Sequence, residues 1–200
     1  GLTSAETSTL VAALGPAMKT APPVSSWRIA LDGTGPLVDS LGLLLIASGH
    51  RVVRASAAVA GKCDLAIVIG EYALEPHRPG GWLSRDVPHL PVVFSDESVR
   101  IGPLLGGKTG TAPLENQPCE QCIELAHRDQ DDCWIAMASQ LIGTPAPAQT
   151  PLLNAEIAAV VTRWIEDPHT HPISSNTALE ISSRDGAREV ITFYLHPDCA

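Results

Sequence analysis

The chain predicts an α/β fold with a doubly wound, mainly parallel sheet, and three observations carry that reading. Short apolar runs alternate with helical stretches through the first hundred residues. The run CDLAIVIG, Cys63 to Gly70, is apolar without alternation, which suits a parallel strand covered on both faces. The segment LDGTGPLVDSLG, Leu31 to Gly42, reads as a tight glycine turn leading from a strand into a helix.

Residues 1–24 read as a leading helix and linker: Leu10, Val11 and Leu14 recur at helical spacing between Thr3 and Met18, and APPV, Ala21 to Val24, breaks the pattern. The α/β domain then occupies 25–200. WRIALDG from Trp27 is its first strand, and Pro36 to Ser48 is a helix with proline in its first turn, where a missing N–H costs little. Val52 and Val53 in HRVVRAS make a second strand, CDLAIVIG a third and, after a further helix, HLPVVFSD, His89 to Asp96, a fourth. SVRIGPLLGGKTGTAPLENQP is a long crossover loop with one short strand at its start. A CxxC element covers 115–143; Cys119 to Gly143 reads as helical, with Ile123, Leu125, Trp134, Met137 and Leu141 on its buried face, and TPAPAQTP ends it. The C-terminal part, 150–200, holds a helix over Leu152 to Ile165 and a β-hairpin closed at Asp185 and Gly186, where apolar and polar residues alternate on both sides of RDG.

Charge and composition exclude some partners. Thirteen Lys and Arg stand against 22 Asp and Glu in 200 residues, a net charge of -9, and no run of five or more basic residues occurs. Nucleic acid and anionic membrane surfaces are therefore poor partners. The apolar stretch LGLLLIA, Leu41 to Ala47, is far shorter than the roughly 20 residues of a membrane span. GLTSAETSTL carries neither the basic nor the apolar region of a secretory signal, so the expectation is a cytoplasmic protein. Five cysteines, an odd number, with two of them three apart, fit a metal or reduced thiols better than a disulfide framework.

Two constellations carry chemistry. In the glycine turn, Gly33 and Gly35 match the start of a G-x-G-x-x-G fingerprint, whose glycines let backbone amides approach a pyrophosphate, but Val38 stands at the third position. At the end of the second strand stands Arg54 where a ribose-binding acid is usual. That leaves two readings: an NADP site, in which Arg54 takes the 2′-phosphate, or a structural turn without a ligand. The second constellation is CEQC. Cys119 and Cys122 form a half-site for tetrahedral zinc, and HPDCA supplies His196 and Cys199 as the other half; a redox-active thiol pair is the competing reading. Cys63 and Cys133 read as core thiols. HRDQDD, His127 to Asp132, places His127, Asp129 and Asp131 at alternate positions, which diverge on a helix, so it reads as a solvated junction.

RIALDGTGPLVDSLGLLLIASGHRVVR, DLAIVIGEYAL, HLPVVFSDESVRIGPLL, CEQCIELAHRDQDDCW and HPDC, in this order, resemble the actinobacterial ThiF-like proteins of azole-modified peptide pathways, cyclodehydratase or leader-binding components. These belong to the superfamily of ubiquitin-activating and molybdopterin-biosynthesis adenylyltransferases. The resemblance runs from about Trp27 to Cys199 and implies a Rossmann-like domain with a crossover loop and a zinc site built from CxxC and a C-terminal C-x-C. A second cysteine of that last motif would follow Ala200, where the sequence stops; His196 or water completes the set, or the site stays empty. Active relatives hold ATP with a full glycine loop, an acid after the second strand, an Arg and a Lys on the next helix, and an Asp after the next strand. Here the second and third strands are separated only by Arg54 to Cys63, too short for that helix, with Lys62 the one cation nearby. Glu71 matches the Asp position, as a Mg²⁺ ligand or as an ordinary exposed acid. The resemblance thus implies a degenerate ThiF-like scaffold or partner subunit in peptide modification or sulfur transfer, with Zn and without its own adenylation. Its partners would be a peptide or protein, such as a YcaO-type cyclodehydratase or a separate leader-binding domain, or a second copy in a homodimer. The alternatives are an ATP-dependent adenylyltransferase using Gly33, Gly35 and Glu71 with Mg²⁺, and an NADP-dependent enzyme favoured by Arg54.

Overall fold

The structure, a computed structural model, describes residues 26–55, 62–106, 117–168 and 171–199. The leading helix expected over Thr3 to Met18, most of the crossover loop and the expected lack of a helix after Arg54 lie outside these residues. Twelve elements follow in chain order: β1 (Arg28–Asp32), α1 (Pro36–Ala47), β2 (Arg51–Arg54), β3 (Leu65–Glu71), α2 (His77–Leu83), β4 (His89–Phe94), β5 (Ser98–Ile101), α3 (Glu120–Gln130), α4 (Trp134–Leu141), α5 (Pro151–Glu166), β6 (Thr177–Ser182) and β7 (Arg188–Thr192).

One seven-stranded sheet runs in the order β2-β1-β3-β4-β5-β6-β7. The first four strands pair in parallel, and β5, β6 and β7 extend the sheet antiparallel. Connection length decides the change. Only Ser95 to Glu97 separate β4 from β5, and a parallel return needs a crossover of a dozen residues or more. Ser95 closes this turn, its hydroxyl accepting from the Ser98 amide at 3.1 Å. The predicted hairpin at Asp185 and Gly186 is present as β6 and β7, with Gly186 at φ 71.

Alternate residues of each parallel strand enter different cores. Ile29, Leu31, Leu65, Ile67 and Ile69 pack with Leu37, Leu41 and Leu45 of α1 and with Ile157, Val161 and Trp164 of α5. Ala30, Ala66 and Val68 face the opposite layer, against Leu74 and Trp82 of the α2 region. Leu105, Ile123, Ala178 and Phe193 form a third cluster beneath α3. β3 is buried on both faces along nearly its whole length, as its unbroken apolar run predicts.

The stretch expected as helical from Cys119 to Gly143, with HRDQDD as a solvated junction, is two helices. Asp131 adopts an extended conformation (φ -145, ψ 108), and its carboxylate accepts from the Cys133 amide at 2.9 Å, which starts a new turn. The break rotates α4 away from the core. Ile123 stays fully buried, but Met137 is 40 % exposed, Trp134 is half-buried against the His127 ring, and Cys133, expected in the core, is exposed. Among the described residues no helix is long and apolar enough to cross a membrane.

Leu41 is fully buried between α1 and the sheet. Leu41→Ala is expected to lower the unfolding free energy by about 2–5 kcal/mol in urea titration.

Candidate functional site

At the carboxyl ends of β1 and β3 the chain turns to opposite sides of the sheet, and such a switch point opens a crevice. Here it is a cleft of about 930 Å³, lined among others by Gly33, Thr34, Gly35, Arg54, Glu71, Arg78 and Gln149. All four residues that the sequence nominates for a cofactor, Gly33, Gly35, Arg54 and Glu71, therefore border one space. Gly33 is required by close approach: at φ 153, an added Cβ would lie 3.0 Å from both the Cβ and the carbonyl oxygen of Ile69 on β3. Gly35 precedes the first turn of α1 at φ 95 and provides no side-chain cap, so that helix end opens onto the cleft.

A residue that sequence reasoning missed organises the floor. Arg78 of α2 donates from Nε to the Asp32 carboxylate at 3.1 Å, from Nη2 to the carbonyls of Asp32 and Ile69 at 2.7 Å each, and from Nη1 to Glu75 at 2.9 Å. Trp82 donates from its indole N–H to the other Asp32 oxygen at 2.7 Å. The sequence predicts a helix between β3 and β4, but nothing in HRPGGWL, with its proline and two glycines, signals that Arg78 and Trp82 both aim inward.

Charge in the cleft is acid-rich and internally paired. Asp32, Asp39, Glu71 and Glu75 face two guanidiniums. Arg78 is taken by Asp32 and Glu75, and Arg54 by Asp39 at 2.7 Å. No lysine lines the space among the described residues. Burial pushes the Glu71 carboxyl above its usual value and Glu75 adds repulsion, with Arg78 opposing. For Glu75 burial also raises the carboxyl, but hydrogen bonds from Arg78 and the backbone together hold it lower than usual. Such a floor suits a divalent cation or a neutral ligand better than a bare polyphosphate, whose charge needs unpaired donors.

The second constellation assembles at the far end of the sheet. Cys119 at the start of α3, Cys122 in its first turn and Cys199 in the tail bring their sulfurs within 4.8 Å of one another. Cys119 Sγ lies 3.8 Å from Cys122 Sγ and 3.5 Å from Cys199 Sγ. A tetrahedral zinc with Zn–S bonds of about 2.3 Å sets its thiolates about 3.8 Å apart, so the donor set fits such an ion. Burial and the neighbouring sulfurs push the Cys199 thiol up to about 12. At Cys122 burial also raises the thiol, but hydrogen bonds from the backbone at His196 and Cys119 and from the Cys199 and Cys119 thiols bring it below its usual value.

His196, nominated as a ligand, stands beside this cluster and not in it. Its Nε2 meets Asp129 at 2.9 Å, and its Nδ1 accepts from the Asp198 amide at 3.1 Å. Its carbonyl receives the Cys199 amide at 3.0 Å. Arg128 bridges Asp129 and Asp198, each at 2.9 Å. The motif HRDQDD thus works with its partners from the tail: Arg128 and Asp129 dock the HPDC turn onto α3, which presents Cys199 to the pair. His127 turns elsewhere, stacking on Trp134 at 4.8 Å between ring centres.

No family model and no curated protein matches the sequence. Solved structures match the fold. A heterocyclase in complex with substrate and cofactor superposes with a TM-score of 0.63 at 19% identity, over 98% of this chain and 28% of its own. The heterocyclase TruD gives 0.59 at 18% identity, over 98% and 30%. E. coli MccB gives 0.59 at 13% identity, over 89% and 65%. The shared property is the fold, a mixed α/β domain. This chain spans about two thirds of MccB and less than a third of each heterocyclase.

Two outcomes are expected. Protein expressed with zinc and purified without chelator carries close to one equivalent by elemental analysis, and Cys119→Ser loses it. Arg78→Ala, which strands a carboxylate only 17% exposed, lowers stability by about 3 kcal/mol in chemical denaturation.

Proposed function

We propose that this chain is a degenerate ThiF-like scaffold or partner subunit of a peptide-modification system, of the azole cyclodehydratase or sulfur-transfer kind, without adenylation activity of its own. The fold shared with MccB and the heterocyclases supports the setting. The observation that carries the second half is the state of the cleft's cations: Arg54 and Arg78 are both engaged by carboxylates, so a triphosphate would have to displace Asp39, Asp32 or Glu75 to reach them. Zinc held by Cys119, Cys122 and Cys199 would brace the tail against α3, as a structural ion does, with the remaining position filled from outside this set.

The partner in this reading is a peptide or another polypeptide, a YcaO-type cyclodehydratase or a separate leader-binding domain. The outer face of α1 offers it a surface, since Leu43 is 72% and Ile46 57% exposed. A homodimer would use the same face.

A second reading keeps one specific support. Gly33 and Gly35 open the N-terminal end of α1 onto a cleft that also holds Glu71, the arrangement an ATP-dependent adenylyltransferase needs for phosphate and Mg²⁺. The NADP reading rests on Arg54, whose guanidinium is held by Asp39.

Calorimetric titration of the zinc-replete protein with ATP and Mg²⁺ separates them. The scaffold reading expects no binding heat up to about 1 mM. Micromolar binding, together with pyrophosphate exchange that Gly35→Asp abolishes, would overturn it in favour of adenylation.

A further inference from the structure

A second cleft, of about 630 Å³, lies between α2 and α4 and reaches Cys119 at one end. Its size falls within the roughly 300–1,000 Å³ of ordinary ligand sites. Its walls are apolar: Leu74, Leu105 and Ile142 line the inside, and Leu83 and Ile135 stand at the rim, 47% and 50% exposed. Large apolar side chains left half in water on both lips of one cavity mark a surface that gains by being covered.

The carboxylates are the formally charged groups among the described residues lining this cleft, beside the neutral polar Gln121 and Ser139. Glu120 and Glu124 line it, and among its described lining residues there is no lysine or arginine. Glu120 is 8% exposed; one of its oxygens takes Arg100, and Oε2 has no hydrogen-bond partner among the described residues. Glu124 accepts from the Trp134 indole at 2.7 Å. Burial pushes its carboxyl above the usual value and Glu120 adds to this, while the Trp134 hydrogen bond and the Arg100 charge oppose it. His89, at the inner wall, is 2% exposed, and burial pulls its imidazole below the usual value. An incoming anion would meet these carboxylates, whereas a cation would find acceptor oxygens already in place, among them the unpartnered Glu120 Oε2.

We propose that this second cleft binds a peptide segment in which large apolar side chains flank a lysine or arginine. The apolar side chains fill the space between Leu83 and Ile135, and the cation sits toward Glu124. The peptide source rests on the function proposed above; the chemistry of the cleft does not depend on whether the first cleft binds a nucleotide, so the two fail separately.

The experiment is a methyl-NMR titration of the full chain with two capped tripeptides, acetyl-Leu-Lys-Leu-amide and acetyl-Leu-Glu-Leu-amide, and with hexylamine as a free apolar cation. The expected result is saturable shifts at Leu83, Leu105, Ile135 and Ile142, with the lysine peptide binding roughly tenfold more tightly than the glutamate peptide. Glu124→Gln is expected to shrink that ratio, and Ile135→Ser, a rim change that leaves the core intact, to weaken both peptides. Ala138→Phe, which fills the cavity, should abolish the shifts. Equal affinity for the two peptides, or no saturable shift from either, overturns the proposal, and binding of hexylamine without the lysine peptide overturns the peptide source.

Discussion

The arrangement of the first cleft hangs on the carboxylate of Asp32. It ends β1, and from there it holds Arg78 and Trp82 of α2 through both of its oxygens. Arg78 in turn binds the last carbonyl of β1 and the Ile69 carbonyl near the end of β3, so one guanidinium ties two neighbouring strands and a helix at the point where the sheet opens. The pair is 16% and 17% exposed on its side chains, and a buried charge without its partner is far costlier than a lost surface contact. A helix built from HRPGGWL has little propensity to form alone, and this knot, with Trp82 in the core, is what keeps it in place. The same interaction spends the cation that a phosphate ligand would want.

A comparable economy governs the cysteine end. Arg100 of β5, itself 8% exposed, takes Glu120 at 3.0 Å and the Gly102 carbonyl at 2.6 Å, which anchors the first turn of α3 to the sheet. That turn carries Cys119 and Cys122. The tail is then fastened to the other end of α3 by Arg128 and Asp129, and the His196 carbonyl orients the Cys199 amide. Exposed ion pairs such as Arg128–Asp198 are each worth little. Their effect here is geometric, because together they remove the freedom of a short tail segment and hold its sulfur beside the two others, in a cluster that could hold a metal ion.

The two clefts differ in chemistry in a way that fits different tasks. The first is polar, with every guanidinium answered by a carboxylate. The second is apolar with acids at its floor and half-exposed leucine and isoleucine at its lips. Cys119 borders the second cleft and also belongs to the sulfur cluster, so an ion in that cluster would stiffen one wall of the peptide site.

Local pattern determined much of this protein. The four parallel strands, the helix after the glycine turn, the C-terminal hairpin and the pairing of CxxC with Cys199 are all legible as periodicity, turn chemistry and ligand spacing, because each depends on residues near in sequence or on a residue type with few other uses. Gly33, Gly35, Arg54 and Glu71 could be named as neighbours of one site for the same reason: each ends a strand or begins a helix. What tertiary structure alone decided are the contacts between segments distant in sequence. Arg78 reaches Asp32 across 46 positions, and Asp129 meets His196 across 67, which turns a nominated ligand into a positioning group. The junction read at HRDQDD is where the helix breaks, but the device that breaks it shows only in the folded chain: the Asp131 carboxylate recaptures the backbone two residues on, although the apolar spacing on either side looks continuous. Sequence spacing reports which residues can share a face of one element; which charge answers which is set only when the sheet brings separate elements together.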